Sequence, residues 1–450
     1  MNLRRAEQLM MVLAALAPAA VVPGRLEAKI AGVTGPAFAF TARADRAMTG
    51  DGNSVLIWGY ANGRSRAQIP GPTMIVNEGD MVTVTLSNAL PGQNVSIVFP
   101  GQEGVSADAV SGGVQQGLIT LEAQPGGVVS YTFVASRPGT YLYHSGTNPG
   151  LQVEMGLSGA LIVRPALGAN CAYNTPASCF DREYLFFLSE MDPRIHELVD
   201  ILGPGALPET NYLSSYLSNY WFLNGRNAPD SLSTDGVGWL PTQPYGSLAR
   251  MHLGDKVLMR VIGGNRDMHP FHHHGNHARI IARDGRLLES APGAGPDLSH
   301  EVFSIQSVPG STVDAIFDWT GKDLGWDAFG TSAAGANYAH QCNGKWDSDP
   351  NPASDVFDPV TREWCGDHGK PIPVVLPENQ NLAFGAFWSG SPFLGKLGAL
   401  PPGEGGFNPN GGFPFMWHSH TEKELTNYDI FPGGLMTFMI VEAMNTPITE

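Results

Sequence analysis

Basic residues are scarce. Lysine and arginine number 26 in 450 residues, against 42 aspartates and glutamates, for a formal net charge of -16. Phosphate backbones are gripped by clustered lysine and arginine. No basic stripe is present, so no nucleic-acid partner is expected. Charged residues of either sign make up only 15% of the chain. Cysteine is rarer: Cys171, Cys179, Cys342 and Cys365 are the whole set, and none adjoins a histidine cluster. Four cysteines allow three connectivities, of which sequential pairing is the simplest. Long apolar runs are absent beyond the N-terminus. The run there, from Leu9 to Val22, is interrupted by Pro18, preceded by Arg4 and Arg5, and followed by Leu-Glu-Ala at 26–28. That is the build of a secretory signal peptide over 1–28, and it is short for a spanning helix. A periplasmic or secreted location follows as an expectation, and disulfides suit it.

Glycine (55) and proline (35) are plentiful, which suits a β-rich chain with many turns. From Ile30 to Pro165 short runs such as "MVTVTLSN" (81–88) and "VVSYTFVA" (128–135) alternate with period two. A second β-rich unit opens near Glu183, and it echoes the first. "ARMHLGDKVLMRVIGGN" (249–265) repeats the plan of "MIVNEGDMVTVTLSN" (74–88), and "PFMWHSH…GGLMTFMIVE" (414–442) that of "TYLYHSG…SGALIVRP" (140–165). The chain therefore reads as all-β, with two β-sandwich domains. We place them at 29–165 and 183–450, joined by a linker at 166–182. The second carries a long loop insertion around 320–413. Segment 192–245 reads as surface loop, with a short helix within "SSYLSNYWF" (214–222).

Histidine is concentrated. The stretch "HPFHHHGNH" (269–277) holds five of the thirteen histidines. On a strand, successive side chains face opposite ways. His272 and His274 then share one face, as do His418 and His420 of "WHSH", while His273 and Ser419 face away. Paired His-x-His strands bring imidazoles together, and neutral imidazole suits copper, zinc, iron and nickel. His196, His252, His300, His340 and His368 are isolated and read as surface or loop residues.

These motifs carry a resemblance. "HPFHHHG", "WHSH" with a later "GGLM", "YLYHSG" and "PGPTMIVNEGDMVTVTLSN" are similar to the copper motifs and opening segment of multicopper oxidases. The resemblance covers most of the chain after residue 28. It implies two cupredoxin-like Greek-key sandwiches, copper as cofactor, a small reductant or metal ion as partner, O2 as oxidant, and a homotrimer with metal sites between subunits. Position by position, it makes His144, His272, His274, His418 and His420 ligands of a copper cluster. It gives His269 to a separate blue-copper centre, with Met436 as axial ligand. The match is incomplete. Val98 and Pro100 stand where the first motif has histidines, and Gly146 replaces the partner of His144. Ser419 stands where the blue-copper cysteine belongs, and the second histidine of that centre falls near Glu424. A blue-copper centre needs a thiolate, so none is expected. His273, His277 and Glu103 are further ligand candidates.

Three functions fit this inventory. One is an exported oxidoreductase with a modified interdomain histidine copper site. Another is a copper storage or delivery protein. The third is a cupredoxin-fold interaction module, with zinc or no metal.

Overall fold

The computed structural model describes residues 30–206, 214–322, 357–358, 362–366, 413–442 and 446–448. The signal-peptide segment, His340, His368, Cys342 and most of the 320–413 insertion lie outside them.

Two sheets form the first sandwich. One orders Val33–Thr34, Gly71–Asn77, Ser158–Arg164 and Gly139–His144; the other orders Ser54–Asn62, Ala37–Met48, Met81–Asn88, Val128–Val134 and Ser106–Ser111. The alternation seen in sequence is realised. Val82, Val84 and Leu86 point inward and meet Val129, Tyr131 and Phe133 of the neighbouring strand. Each such side chain, fully buried, contributes about 1.5–3 kcal/mol. Phe40, Tyr60, Phe99 and Tyr143 fill the centre of this core.

The second sandwich repeats the plan. One sheet runs Tyr220–Leu223, Arg182–Met191, Lys256–Gly263, Thr312–Asp318, Ala278–Arg283 and Arg286–Leu287, with His300–Val302 also paired to Ala278–Arg283. The other runs Ala249–His252, Met436–Glu442, Phe413–Ser419, His269–His273 and Ser304–Ser307. The duplication shows in the parallel pairings. Ala37–Met48 lies parallel to Met81–Asn88 as Arg182–Met191 does to Lys256–Gly263. Gly71–Asn77 lies parallel to Ser158–Arg164 as Ala249–His252 does to Met436–Glu442. At both echoed Gly-Asp turns the glycine, Gly79 or Gly254, has positive φ (89° and 71°), a region open to glycine at little cost.

The sandwiches meet along Gly139–His144 and Thr312–Asp318. Arg260, fully buried, donates to Glu183 Oε2 at 3.0 Å and to Thr140 Oγ1 at 2.9 Å. Thr140 in turn donates to Asp314 at 2.5 Å. Leu142, Ala160, Phe187 and Ile262 pack beside this network. The linker is closed on itself by a Cys171–Cys179 disulfide. Cys365 is also disulfide-bonded.

Two local expectations are corrected. Tyr220–Leu223 is a strand rather than part of a helix, because its four large apolar side chains are buried against Arg182–Met191. A helix forms instead at Pro193–Leu202, in the segment read as loop. Asp192 caps it, accepting from the Arg194 N–H at 3.1 Å, and Pro193 occupies its first turn; both are ordinary helix-start signals.

Candidate metal centre

Strand His269–His273 alternates as its sequence requires. His269, Phe271 and His273 are buried and Pro270 and His272 lie on the other face. Phe271 anchors the strand against Phe186 and Trp417 in the second core. His272 pairs directly with His418 of Phe413–Ser419, so the two histidines share a face. Their ring centroids are 5.5 Å apart. His274, just past the strand, turns to the same side, with its ring 4.9 Å from His272 and 5.2 Å from His418. His420 adds a fourth ring, 4.9 Å from His272 and 5.7 Å from His418.

His272, His274 and His418 each offer a nitrogen, and the three lie within 4.8 Å of one another. His418 Nε2 is 3.2 Å from His274 Nε2. Two nitrogens sharing a tetrahedral ion at about 2.0 Å stand about 3.3 Å apart, so the spacing fits a common ion. The tautomers fit as well. His272 Nδ1 is 2.7 Å from the Phe303 carbonyl, and His418 Nδ1 is 2.7 Å from the Ser419 carbonyl. A ring N–H given to a carbonyl leaves Nε2 as a lone pair, the usual arrangement at metal-binding histidines. Burial, with neighbouring imidazoles, lowers the pKa of His274 to about 3, and burial lowers that of His418 to about 4. Both rings are neutral and able to ligate at ordinary pH.

The other candidates are placed elsewhere. His144 ends strand Gly139–His144 in the first sandwich, outside this three-residue group. Its Nδ1 is likewise 2.9 Å from a carbonyl, that of Ser145, which leaves Nε2 free of that bond. Val98 bridges directly to His144. A Cβ added at Gly146 would meet Val98 Cγ1 at 2.7 Å and Ser96 Oγ at 3.0 Å. The two departures from the second and first motifs are thus one change: Val98 occupies the space a side chain at 146 would need. His273 is fully enclosed between Phe317 and Trp417. Burial lowers its pKa to about 3. Glu103 is exposed and pairs with Arg137 and Arg286 at 3.8 and 3.7 Å. His277 sits against Phe303 rather than in the group. His196 and His252, expected at the surface, are buried: His196 Nδ1 faces the Leu56 carbonyl at 2.6 Å, and His252 Nε2 the Thr446 carbonyl at 2.8 Å.

His269 has a different environment from the cluster. Its Nδ1 is 2.8 Å from Glu424 Oε2 and its Nε2 3.0 Å from Glu190 Oε2. All three side chains are buried. Burial alone would lower the pKa of His269, but the two carboxylates outweigh it and raise it to about 9. An imidazolium with both nitrogens donating has no lone pair for a metal. Met436 pairs with His418 and so lies on the histidine face. The residue opposite Ser419 is Leu435, whose carbonyl accepts the Ser419 N–H at 3.0 Å. The register therefore places Met436 away from an axial position beside Ser419. Glu190 was missed by sequence reasoning; the signal was a carboxylate just after the apolar run "YLFFL" (184–188) of a buried strand.

The chain is similar in sequence to known copper proteins. Residues 50–167 match the family model described as multicopper oxidase. An L-ascorbate oxidase of Cucumis sativus is 34% identical over 27% of this chain and 19% of its own length. A copper-containing nitrite reductase of Rhizobium meliloti is 26% identical over 55% of this chain and 60% of its own. These matches span less than two thirds of either relative. The blue copper oxidase from Nitrosomonas europaea superposes with a TM-score of 0.54 at 18% identity, covering 90% of this chain and 85% of that one, and so shares its fold. Residues 50–167 thus carry the match to a multicopper oxidase family model, the chain is similar in sequence to copper-containing relatives, and it shares the fold of a blue copper oxidase.

Proposed function

We propose that this protein is an exported copper-binding oxidoreductase whose chemistry takes place at the His272–His274–His418–His420 cluster, without a blue-copper centre. The observation that carries the reading is the convergence of the neutral imidazoles of His272, His274 and His418, of which His272 and His418 have Nδ1 on a carbonyl, leaving Nε2 for a metal. An all-imidazole set suits copper better than a hard cation. Copper bound there would supply one-electron redox chemistry. The protein's own part is to hold the four rings, fix the tautomers of His272 and His418, and keep His272, His274 and His418 neutral. With Ser419 where a thiolate would stand and Met436 paired with His418 instead of Ser419, no route through a mononuclear centre is assigned. A small reductant, or a cuprous or manganous ion, must reach the cluster itself, and O2 or nitrite is the small oxidant.

We further infer that the site is shared between copies. His144 is outside its own chain's cluster, yet its Nδ1 faces a carbonyl in the same way. Apolar residues border both places. Leu118 is 97% exposed, and its neighbour Ile119 lies within reach of Gly146. Phe303 is 56% exposed and stands edge-on to His272. Head-to-tail contact of these two faces, closed into a trimer, would bring His144 of one copy to the cluster of the next. Export is supported by the N-terminal sequence and by the Cys171–Cys179 disulfide.

The test is metal content and spin-resonance spectrum of purified protein, followed by aerobic turnover with phenols, cuprous and manganous ions. Bound copper with turnover supports the reading. Bound copper without turnover under any of these reductants, with either O2 or nitrite as oxidant, assigns a storage or delivery role instead. Protein that takes up no copper refutes it.

A further inference from the structure

We propose that Glu190, His269 and Glu424 form a metal-free clamp that positions the histidines of the copper site. The clamp rests on the copper-site reading above, and assigns to residues outside the cluster the task of fixing its geometry.

Three segments converge on His269. The first is the strand His269–His273, which carries His272 and leads to His274. The second is the turn Glu422–Leu425, which follows His418 and His420 and supplies Glu424. The third is the end of Arg182–Met191, which supplies Glu190. Glu190 holds its side of the site twice over. While Oε2 takes the His269 ring, Oε1 accepts the N–H groups of Arg266 and Asp267 at 2.7 and 3.0 Å. Those two residues lead into the histidine strand. Glu424 is fixed in turn by its backbone: its N–H donates to Thr421 and its carbonyl accepts from Leu435, at 2.9 and 2.8 Å. The His420 N–H also donates to the Pro270 carbonyl at 2.9 Å, which extends the strand pairing of the two histidine-bearing segments toward the clamp.

A metal ion bound by residues 269, 419 and 424 would tie the strand His269–His273 to the Phe413–Ser419 strand and the turn after it. Here a doubly hydrogen-bonded imidazolium makes the tie from 269 to 424. Hydrogen bonds between ionised partners are short and about twice as strong as neutral ones. Being buried, they are weakly screened. The clamp never touches the metal, so His269, Glu190 and Glu424 are positioning residues.

The test is copper titration of the full chain against a competing chelator, read also by spin resonance. Wild type is compared with Glu424→Ala, Glu424→Gln and His418→Ala. The proposal expects Glu424→Ala to bind copper about tenfold more weakly, within the range for groups that support metal ligands from behind. Its spectrum should broaden into more than one species. Glu424→Gln, whose amide oxygen still accepts the Nδ1–H, should restore a single species. A folded Glu424→Ala protein with wild-type affinity and spectrum overturns the clamp, as does Glu424→Gln behaving no better than Glu424→Ala. If Glu424→Ala does not fold, Glu424→Asp, one methylene too short to reach Nδ1, carries the same comparison. Failure of the copper-site reading looks different: wild-type binding would then survive His418→Ala.

Discussion

His418 and His274 meet Nε2 to Nε2 at 3.2 Å, although 144 residues separate them. Two strands of one sheet make that contact, because His272 is paired with His418 and His274 lies two residues further on the same face. A neutral pair at this distance can share one proton or one metal ion. The lowered pKa values of both rings, to about 3 and about 4, leave them uncharged in either case.

The Glu190–His269–Glu424 triad makes apo-protein stability depend on pH. His269 titrates at about 9 when folded and near 6.5 when unfolded. A raised pKa stabilises the fold fully below about pH 6.5, and that contribution is lost as pH rises through about 9. The difference corresponds to about 3 kcal/mol. Urea midpoints of the metal-free protein between pH 6 and 10 should fall across this window. In His269→Gln the fall should be much smaller; an equal fall in both proteins would show that another group is responsible.

Replacing Ser419 by cysteine should not by itself create a blue-copper centre. Both nitrogens of His269 are engaged by carboxylates, and Glu424, near which the resemblance puts the second imidazole, is one of them. Copper-loaded Ser419→Cys is expected to lack intense visible absorption. A strong blue band in this single variant would mean that His269 leaves its carboxylates readily.

Gly146→Ala should destabilise the first sandwich by about 1–3 kcal/mol, the usual effect of overpacking. Its Cβ would lie 2.7 Å from Val98 Cγ1. Trimming Val98 to alanine in the same chain should recover much of the loss. Thermal melts of the two single variants and the double variant measure the coupling, and strict additivity would remove the proposed link between positions 98 and 146.

Arg260→Ala should cost about 3–5 kcal/mol, because it strands Glu183 and Asp314 in the seam between the sandwiches. Among the described residues Glu183 then keeps Arg164, and Asp314 keeps Thr140 and Tyr173. Chemical denaturation would register the effect; a loss under about 1 kcal/mol would indicate that solvent enters the seam.

The pleat made much of the site legible. One alternation rule separates His272, His274, His418 and His420 from His273 and Ser419, and the structure keeps that division. The rule was equally informative for Val82, Val84 and Leu86. It could not reveal that His144 lies outside the cluster of its own chain, since sequence spacing says nothing of where two sandwiches put their edges. It also could not find Glu190, which meets His269 only through tertiary packing from 79 residues away. The helix Pro193–Leu202 was legible and was overlooked: Asp192-Pro193 is a start signal, and the surrounding glycines and prolines of 203–245 drew the whole segment into one loop. Tyr220–Leu223 went the other way, because four consecutive buried residues carry no period by which strand and helix differ.

If the histidine cluster, and not a thiolate centre, holds the working metal, its removal must abolish copper binding. Copper titration of the apo protein, followed by optical and spin-resonance spectra in wild type and in the His272→Ala/His418→Ala double variant, tests it most directly. Wild type should bind copper tightly without a blue band, and the double variant should lose that binding. An intense blue band in wild type, or copper binding unchanged by the two substitutions, would contradict it.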